Sequence, residues 1–366
     1  MKIDIESEFK DIYGKAGDVL TFFSPGRVNL IGEYTDINGG FVLPCALDFG
    51  TYAAVRLRDD KNINFATLNF NKRVTVLTDD IEFNKDHDWA NYPKGVIKEF
   101  QSLGVQITGF DILYYGNIPN GSGLSSSASL EVLTGVILNE LFKSKIDMIE
   151  IVKLSQRAEN NFVGVKCGIM DQFAVGMGQE DHAVLLDCNT LEYSYVPLKL
   201  DGVKIVIGNT KKRRGLADSK YNERRDECNR ALSDLKSKLN IDYLCDLTEE
   251  DFIRNTGLIK NETDKKRATH AVYENSRTIK GKNALINGNL ELFGQLMNLS
   301  HDSLKNMFEV TGKELDLMVS EARKIEGTLG SRMTGAGFGG CTVSLVTDEY
   351  VDEFIRVVGE NYKSGS

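Results

Sequence analysis

The stretch NIPNGSGLSSSASLEV, residues 117–132, places small residues and three consecutive serines between a predicted strand and a predicted helix. Small side chains let backbone N–H groups approach an anion closely, and a helix N-terminus adds a favourable partial charge. The stretch lacks both the lysine of a P-loop and the GxGxxG spacing of a dinucleotide-binding turn. It therefore predicts a phosphate-binding loop of another kind. A serine-rich helix cap without a ligand is the alternative that this loop alone leaves open.

Two further loops are candidates for ligand binding. GEYTDINGG, at residues 32–40, crowds two carboxylates, a phenol, a hydroxyl and an amide behind an apolar run, and these groups all form hydrogen bonds. TGAGFGG, at residues 334–340, has four glycines within six residues, and packing alone seldom needs so much backbone freedom. A tight turn at a ligand explains these glycines, and a glycine-rich hairpin is the alternative.

Two carboxylates, Glu159 and Asp171, lie twelve positions apart in ENNFVGVKCGIMDQFAVGMG, on either side of a glycine-containing break. A carboxylate at the start of an apolar helix can cap the helix or pair with a basic side chain. From the residue and its neighbours alone, such a structural role is the favoured interpretation for Asp171.

The elements that must position these loops alternate between strands and helices. β-Branched and aromatic residues between Gly and Pro breaks predict strands at residues 21–31, 41–58, 63–70, 74–78, 110–116, 183–198, 203–210 and 341–346. Apolar residues at helical spacing predict helices at residues 126–142, 148–164, 218–239 and 313–327. An acidic, turn-rich segment is predicted at residues 246–267, before further helix. With no detectable repeat, this mixture indicates an α+β protein.

The chain of 366 residues exceeds one ordinary core, which predicts one large domain or two tightly joined domains. We place the boundary near residue 185, dividing residues 1–185 from 186–366. The 53 acidic and 44 basic residues give a net charge of -9, which disfavours a broad nucleic-acid surface. The short basic run KKRR, at 211–214, predicts a solvated loop or helix start rather than a phosphate contact.

The six cysteines are scattered without CxxC spacing, so the sequence indicates neither a zinc site nor a disulfide framework. The first twenty residues lack the apolar core of a signal peptide, and no later run of about 18 apolar residues occurs. We therefore expect a cytoplasmic protein without membrane contact, as a monomer or a weak homo-oligomer.

Taken together and in this order, GRVNLIGEYTDINGG, GLSSSAS, CGIMDQ and TGAGFGG resemble the GHMP small-molecule kinases, and specifically the galactokinases. Residues 24–47 are similar to the galactokinase signature and residues 209–225 to the sugar-contacting segment of that family. HAVYENSR and LMNLSHDSL are similar to later family stretches, so the resemblance covers nearly the whole chain. It implies a two-domain fold: an N-terminal domain with a mixed sheet and helices, a C-terminal α+β domain, and an active site between them.

The resemblance implies ATP-dependent phosphorylation of D-galactose at the C1 hydroxyl. It puts Arg27 beside the transferring phosphoryl group and makes Asp171 the base that faces the hydroxyl. Phosphoryl transfer depends mostly on positioning and charge neutralisation, which an arginine, Mg²⁺ and backbone amides supply. Ser127 and Glu159 match the magnesium ligands, and a hydroxyl with a carboxylate suits a hard cation that keeps several waters. The residues matched to ATP are Thr67, Gly121, Ser122, Gly123, Leu124, Ser125, Ser126 and Ser127.

The family pattern also assigns the sugar contacts. They fall on Glu33, Tyr34, Thr35, Asp36, Asp171 and Tyr221. Sugar hydroxyls donate and accept hydrogen bonds, so carboxylates in this loop can accept from them. The commoner pattern is GEHTDYNGG, so Tyr34 stands in place of His and Ile37 in place of Tyr. A phenol still donates one hydrogen bond, and we expect Tyr34 to be a tolerated equivalent rather than the sign of a changed substrate.

Two alternatives remain for the function. The first is a kinase for a related sugar such as N-acetylgalactosamine, arabinose or galacturonate, although residues 33–37 include no cation that would favour a uronate carboxylate. The second is a non-catalytic sensor, since galactokinase-like proteins exist that bind galactose and ATP in order to signal. Such sensors tend to have a damaged serine loop, whereas GLSSSAS is intact here and Arg27, Glu159 and Asp171 are all present.

Overall fold

The structure, a computed structural model, describes residues 3–119, 122–212 and 217–365. Its strands, in chain order, are β1 (Leu20–Asn29), β2 (Phe41–Val42), β3 (Pro44–Leu57), β4 (Asn62–Thr67), β5 (Val74–Leu77), β6 (Phe110–Gly116), β7 (His182–Asp187), β8 (Tyr193–Pro197), β9 (Val203–Asn209), β10 (Thr328–Thr334) and β11 (Cys341–Thr347). Its helices are α1 (Ile5–Tyr13), α2 (Asn91–Ser102), α3 (Ser126–Leu141), α4 (Met148–Arg157), α5 (Met170–Gly176), α6 (Ala217–Lys236), α7 (Glu249–Asn255), α8 (Glu262–Ile286), α9 (Leu290–Ser303), α10 (Gly312–Ala322) and α11 (Val351–Gly365). The predicted α+β class is confirmed.

By its contacts the chain divides into two units. The first comprises residues 3–27, 46–119 and 125–177. The second comprises residues 28–45, 122–124, 178–212 and 217–365. The domain boundary near residue 185 stays a prediction, and that residue lies within β7. Within the described ranges, no helix combines the length and the apolar character needed to cross a bilayer.

The first unit is built on a five-stranded sheet in the order β1-β3-β6-β4-β5. Strand β6 pairs antiparallel with β3 and parallel with β4, so the sheet is mixed, as the family resemblance implied. Successive side chains of a strand point to opposite faces. Val55, Phe65 and Ile112 therefore pack with the helical Phe100 and Ile137 on one face.

Helix α1 covers the other face of this sheet. Its Phe9 packs with Leu113 of β6. The preceding residue, Ile112, faces the core on the opposite side of the sheet. This alternation is expected of a strand that is buried on both faces. The Asp4 side chain caps the helix by accepting a hydrogen bond from the Ser7 amide. Sequence reasoning predicted neither α1 nor α2, because their apolar spacing covers only two to three turns.

The second unit contains two three-stranded sheets, β10-β11-β9 and β2-β7-β8, with antiparallel neighbours. Helix α9 lies directly on β10. A Cβ atom at Gly294 would lie 2.2 Å from the Leu329 carbonyl oxygen, and one at Gly330 would lie 2.2 Å from the Gly294 carbonyl oxygen. Helix and strand backbones therefore meet without intervening side chains.

Several predicted elements differ from the structure, among them the strand predicted at 183–198, which is the two strands β7 and β8. The turn-rich prediction for 246–267 is wrong for residues 249–255, which form α7, because the Thr248 side chain caps the helix and Phe252 buries its apolar face. It is also wrong for residues 262–267, which begin α8. The helix predicted at 148–164 is α4 followed by a π-helical turn, Ala158–Val163, that ends at Gly164 with φ 92°. The loop predicted at 32–40 is confirmed, and it contains a short 3-10 turn, Asp36–Asn38.

Candidate active site

Arg27, near the end of β1, and Asp171, in the first turn of α5, are in direct contact. The Nε and Nη2 atoms of Arg27 lie 3.0 Å and 2.7 Å from Asp171 Oδ1. The arginine side chain is almost fully buried, whereas the aspartate side chain is 31% exposed. A carboxylate held by a buried guanidinium and open to solvent can orient a hydroxyl or take its proton. The structure thus joins the two predicted catalytic residues, whose roles stay predictions.

Buried carboxylates lie close to this pair. Gln172 Nε2 donates to Glu159 Oε2 at 2.7 Å and to Glu131 Oε2 at 3.1 Å. Burial, and then the charge of Asp171, raise the pKa of Glu159 to about 7. Burial and the charge of Glu159 raise the pKa of Glu131 well above its usual range. Burial and mutual repulsion thus favour the protonated form within this pair of carboxyl groups.

The predicted magnesium ligands are adjacent. Ser127, in the first turn of α3, hydrogen-bonds through its side chain to Glu159 in the π-helical turn. Within the described part of the chain, His, Cys, Asp and Glu side chains form no cluster of three or more that could hold a metal ion. A cation at this hydroxyl and carboxylate would complete its shell with water or phosphate oxygens, which suits Mg²⁺. The metal role of both residues stays a prediction.

The serine loop contains buried polar groups without partners. The hydroxyl oxygens of Ser122 and Ser125 are buried, and neither forms a hydrogen bond among the described residues. Ser125 has φ 60° and ψ 49°, a left-handed conformation that is uncommon outside glycine, and α3 begins at the next residue. Unpaired buried hydroxyls before a helix N-terminus fit an anion.

The other residues matched to ATP are less informative. Gly123 has φ 71°, Leu124 is buried and Ser126 is exposed. Gly121 lies outside the described residues, as do residues 213–214 of the basic run. Thr67 ends β4, and its Oγ1 lies 3.2 Å from Asn69 Oδ1. A nucleotide contact by Thr67 stays a prediction.

The loop at 32–40 is closed by its own polar groups. The Thr35 hydroxyl lies 2.8 Å from the Gly32 carbonyl and 2.7 Å from the Phe41 carbonyl, and its side chain is fully buried. Asn38 Nδ2 donates to the Tyr34 carbonyl at 2.8 Å. Asp36 is half-buried and accepts the Ile37 amide at 3.0 Å. Thr35 therefore shapes the turn, and Asp36 is its partly exposed carboxylate.

Glu33 and Tyr34 tie this loop to the glycine loop at 334–340. Glu33 Oε1 accepts the Gly335 amide at 2.7 Å, and Arg332 Nη1 lies 3.4 Å away. The Tyr34 hydroxyl donates to the Ala336 carbonyl at 2.5 Å. The Tyr34 ring lies 5.4 Å from that of Tyr221. The glycine loop thus supports the polar loop, and the sugar contacts predicted for these residues stay predictions.

Comparison with known proteins identifies the family to which the chain belongs. It matches the family models described as GHMP kinases N terminal domain over residues 91–179, Galactokinase galactose-binding signature over 7–57, and GHMP kinases C terminal over 282–364. It is 58% identical to a galactokinase of Clostridium beijerinckii, covering 98% of this chain and 93% of the relative. It is 57% identical to a galactokinase of Fusobacterium nucleatum, covering 97% and 92%.

A solved structure agrees with these relatives. The crystal structure of Lactococcus lactis galactokinase complexed with galactose superimposes with a TM-score of 0.96 at 48% identity, covering 98% of this chain and 93% of that one. This chain belongs to the galactokinase family. The two-domain GHMP kinase fold implied by the sequence is therefore confirmed. The galactokinase signature match contains Arg27 and the loop at 32–40, and the N-terminal GHMP match contains Glu159 and Asp171.

Sequence reasoning about this galactokinase family member missed several polar residues around the predicted site. Glu131 lies within the apolar stretch of helix α3 and is fully buried, and an acidic residue in such a stretch is a usable signal. His270 and Glu274 are spaced by four residues in α8 and mark one polar stripe of a buried helix. Arg332 is fully buried in β10, and nothing in the adjoining glycine run indicates its partner.

Proposed function

We propose that this chain transfers the γ-phosphoryl group of ATP to the C1 hydroxyl of D-galactose, giving galactose 1-phosphate and ADP. The observation that carries the proposal is the contact between Arg27 and Asp171 in a chain of the galactokinase family. A buried guanidinium beside a partly exposed carboxylate supplies positioning and charge for phosphoryl transfer to a hydroxyl. The likeness to a galactokinase solved with galactose supports the choice of sugar.

In the proposed reaction Asp171 accepts a hydrogen bond from the C1 hydroxyl and takes its proton as the oxygen attacks the γ-phosphorus. The bond between that phosphorus and the β,γ-bridging oxygen breaks, and ADP leaves. Arg27 holds the carboxylate in place and offsets negative charge at the transferring group. Ser127 and Glu159 would hold Mg²⁺, which neutralises phosphate charge when it is bound.

We assign the phosphate contacts from burial and geometry and the sugar contacts from the family pattern. The unpaired hydroxyls of Ser122 and Ser125, together with the N-terminus of α3, bind the ATP phosphates. Glu33 and Asp36 accept hydrogen bonds from sugar hydroxyls, and the Tyr221 ring packs against that of Tyr34 in the same loop. Because the hydroxyl proton of Tyr34 already goes to Ala336, any sugar contact of Tyr34 would use its ring or its second acceptor site.

The test follows ADP release with Mg-ATP and, in parallel, galactose, glucose, N-acetylgalactosamine, arabinose and galacturonate. We expect galactose to give the highest kcat/KM. Asp171→Ala is expected to lower kcat by about 10²- to 10⁴-fold, the usual contribution of a general base. Asp79→Asn removes an exposed carboxylate paired with Lys61 and is the matched control, with unchanged turnover.

The other outcomes are distinguishable. Faster turnover of a different sugar would reassign the substrate and leave the reaction type intact. Binding of galactose and ATP with no ADP release from any sugar would support the sensor function instead. Full activity of Asp171→Ala would remove the proposed base.

A further inference from the structure

Helix α8 presents one polar face to the loop at 32–41. His270, Glu274 and Thr278 are spaced by four residues, so their side chains lie on the same face of the helix. All three are fully buried. A histidine and a glutamate without solvent contact need hydrogen-bond partners to offset their desolvation. Both find them in the backbone of this loop, and neither belongs to the machinery assigned above.

His270 binds the carbonyl of Glu33. Its Nε2 atom lies 3.0 Å from that oxygen, and since a carbonyl can only accept, Nε2 carries the proton. Its Nδ1 atom lies 2.8 Å from Ser303 Oγ and accepts from that hydroxyl when the ring is neutral. The imidazole also packs against Phe308, with ring centroids 4.7 Å apart. The tautomer and orientation of the ring are therefore set by its neighbours.

Glu274 binds the loop at Gly32, one residue before the residue that His270 binds. Its Oε1 atom accepts the Gly32 amide at 3.0 Å and the Ser300 hydroxyl at 2.5 Å. Its Oε2 atom accepts Arg277 Nε at 2.7 Å. Donors to both oxygens keep this buried carboxylate oriented, and charge-assisted hydrogen bonds of this kind are among the stronger ones.

The two contacts bracket Glu33. The Gly32 amide precedes the Gly32–Glu33 dipeptide and the Glu33 carbonyl ends it. Because both ends of this dipeptide are held by hydrogen bonds to α8, the direction of the Glu33 side chain is fixed. Gly32 has φ 98°, and a Cβ atom there would lie 2.9 Å from Thr278 Oγ1, so the loop backbone lies directly on the helix. The carboxylate of Glu33 then meets the Gly335 amide.

We propose that His270 and Glu274 are positioning residues that fix the sugar-binding loop, and that galactose affinity depends on them more than ATP affinity does. The inference rests on the proposed function, in which Glu33 and Asp36 bind galactose. A displacement of about 1 Å in a positioned group can cost on the order of 100-fold in activity, so a loop released from α8 would bind the sugar poorly.

The test compares His270→Leu, His270→Gln and Glu274→Gln with the wild type. It measures kcat, the KM for galactose and for ATP, the galactose Kd by calorimetry without ATP, and Tm. We expect His270→Leu and Glu274→Gln to raise the galactose Kd and KM about tenfold or more, with the ATP KM within about twofold. His270→Gln restores an N–H near the position of Nε2 and is expected to recover most of the affinity.

The control is Asp264→Asn, on the same helix. Asp264 is buried and binds Arg230 at 2.7 Å and 2.9 Å, and in the described part of the chain none of its hydrogen bonds reaches the loop. It is expected to lower Tm without changing the galactose Kd. If His270→Leu does not fold, Ser303→Ala removes only the hydroxyl that orients the imidazole and is expected to raise the Kd about two- to fivefold.

Three results would overturn the inference, and they differ. If the wild type binds galactose and the variants lose Tm but keep the same galactose Kd, the two residues support only the fold. If the wild type shows no galactose binding, the proposed function fails and the inference fails with it. A parallel rise in both KM values would show a general disturbance rather than positioning of the sugar loop.

Discussion

At Tyr34 a single phenol joins two loops that lie about 300 positions apart in the chain. Its hydroxyl binds the Ala336 carbonyl, and its ring lies between those of Tyr221 and Phe308, at 5.4 Å and 4.4 Å. The residue has φ 67°, in the left-handed region, although it is not glycine. A histidine is too short to place the same group on Ala336 from this backbone, so the tyrosine serves a contact within the protein.

We therefore expect Tyr34→Phe to lower stability rather than to change the substrate. Losing one buried hydrogen bond and leaving a carbonyl unpaired costs about 1 to 2 kcal/mol, measured by urea unfolding. The ratio of kcat/KM for galactose to that for N-acetylgalactosamine is expected to stay within about twofold. Tyr350→Phe, which removes an exposed hydrogen bond to Glu326, is the control. A tenfold change in the ratio would show that the Tyr34 hydroxyl contacts the sugar.

Arg27 offers a second prediction at this scale. Its Nε and Nη2 atoms both approach Asp171 Oδ1, which a lysine ammonium on a flexible stem cannot reproduce. We expect Arg27→Lys to lower kcat by about tenfold or more while the galactose Kd changes little, measured by steady-state kinetics and calorimetry. Arg254→Lys, in an exposed pair with Glu250, is the control for the exchange itself. An unchanged kcat would show that only the charge of Arg27 matters.

The candidate site could be proposed from the sequence where its residues are contiguous. Residues 32–40 and 121–127 each carry enough chemistry in one stretch to mark a function. The partners were not predictable, because Glu33 meets Gly335 and His270 through single residues that lie 302 and 237 positions away. A lone arginine or histidine in a helix or strand does not indicate which distant backbone group it will bind.

At the scale of elements, helix α9 and strand β10 show how closely backbones can approach. Ala is favoured over Gly within a helix by about 1 kcal/mol. At Gly294 this gain is outweighed, because the added Cβ would lie 2.2 Å from the Leu329 carbonyl oxygen, well inside contact distance. Either the helix moves off the strand or the strand bends, and overpacking of this kind costs about 1 to 3 kcal/mol or more.

We expect Gly294→Ala to reduce the free energy of unfolding by about 2 kcal/mol or more, measured by urea unfolding. The control is Gly257→Ala, where a Cβ atom would meet nothing within 4 Å and φ is not positive. That variant is expected to be neutral to within about 0.5 kcal/mol. Equal stability of both variants would mean that the α9 and β10 backbones can separate at little cost.

The elements themselves were predictable where periodicity extends over several turns or over a complete strand. Helix α3 and strands β6 and β11 were found from pattern alone. The strand predicted at 41–58 is split at Leu43, whose amide donates to the Ile31 carbonyl outside the main sheet. Helix α7 depends on one threonine cap and one buried phenylalanine, which is too little signal among acidic and turn-forming residues.

At the scale of the whole molecule, stability is coupled to pH through the buried His270. Burial lowers the pKa of His270 to about 4, below its ordinary value of 6.5, and the charged groups around it are Glu274, Arg277 and Arg332. Between pH 4 and pH 6.5 the His270 imidazole is therefore protonated in the unfolded chain and neutral in the folded chain. The contribution of neutral His270 to the free energy of unfolding is complete above pH 6.5 and is lost as the pH falls towards 4.

We expect lowering the pH from 7.5 to 5.0 to destabilise the wild type by about 2 kcal/mol more than His270→Gln, which has no titrating group at this position. Urea unfolding of both proteins at the two pH values measures the difference. The comparison cancels the titration of all other groups, since these are shared. Identical losses for the two proteins would show that His270 titrates normally in the folded state.

The bond between the Gly32 amide and Glu274 spans 242 positions of the chain. During synthesis at about 5 to 20 residues per second, roughly 12 to 50 s pass after Gly32 is made before Glu274 exists. During that interval the loop cannot pack on α8, even where the rest of the N-terminal segment has already folded. The loop therefore acquires its contacts with α8 late, and fragments that end before residue 270 are expected to lack an ordered loop.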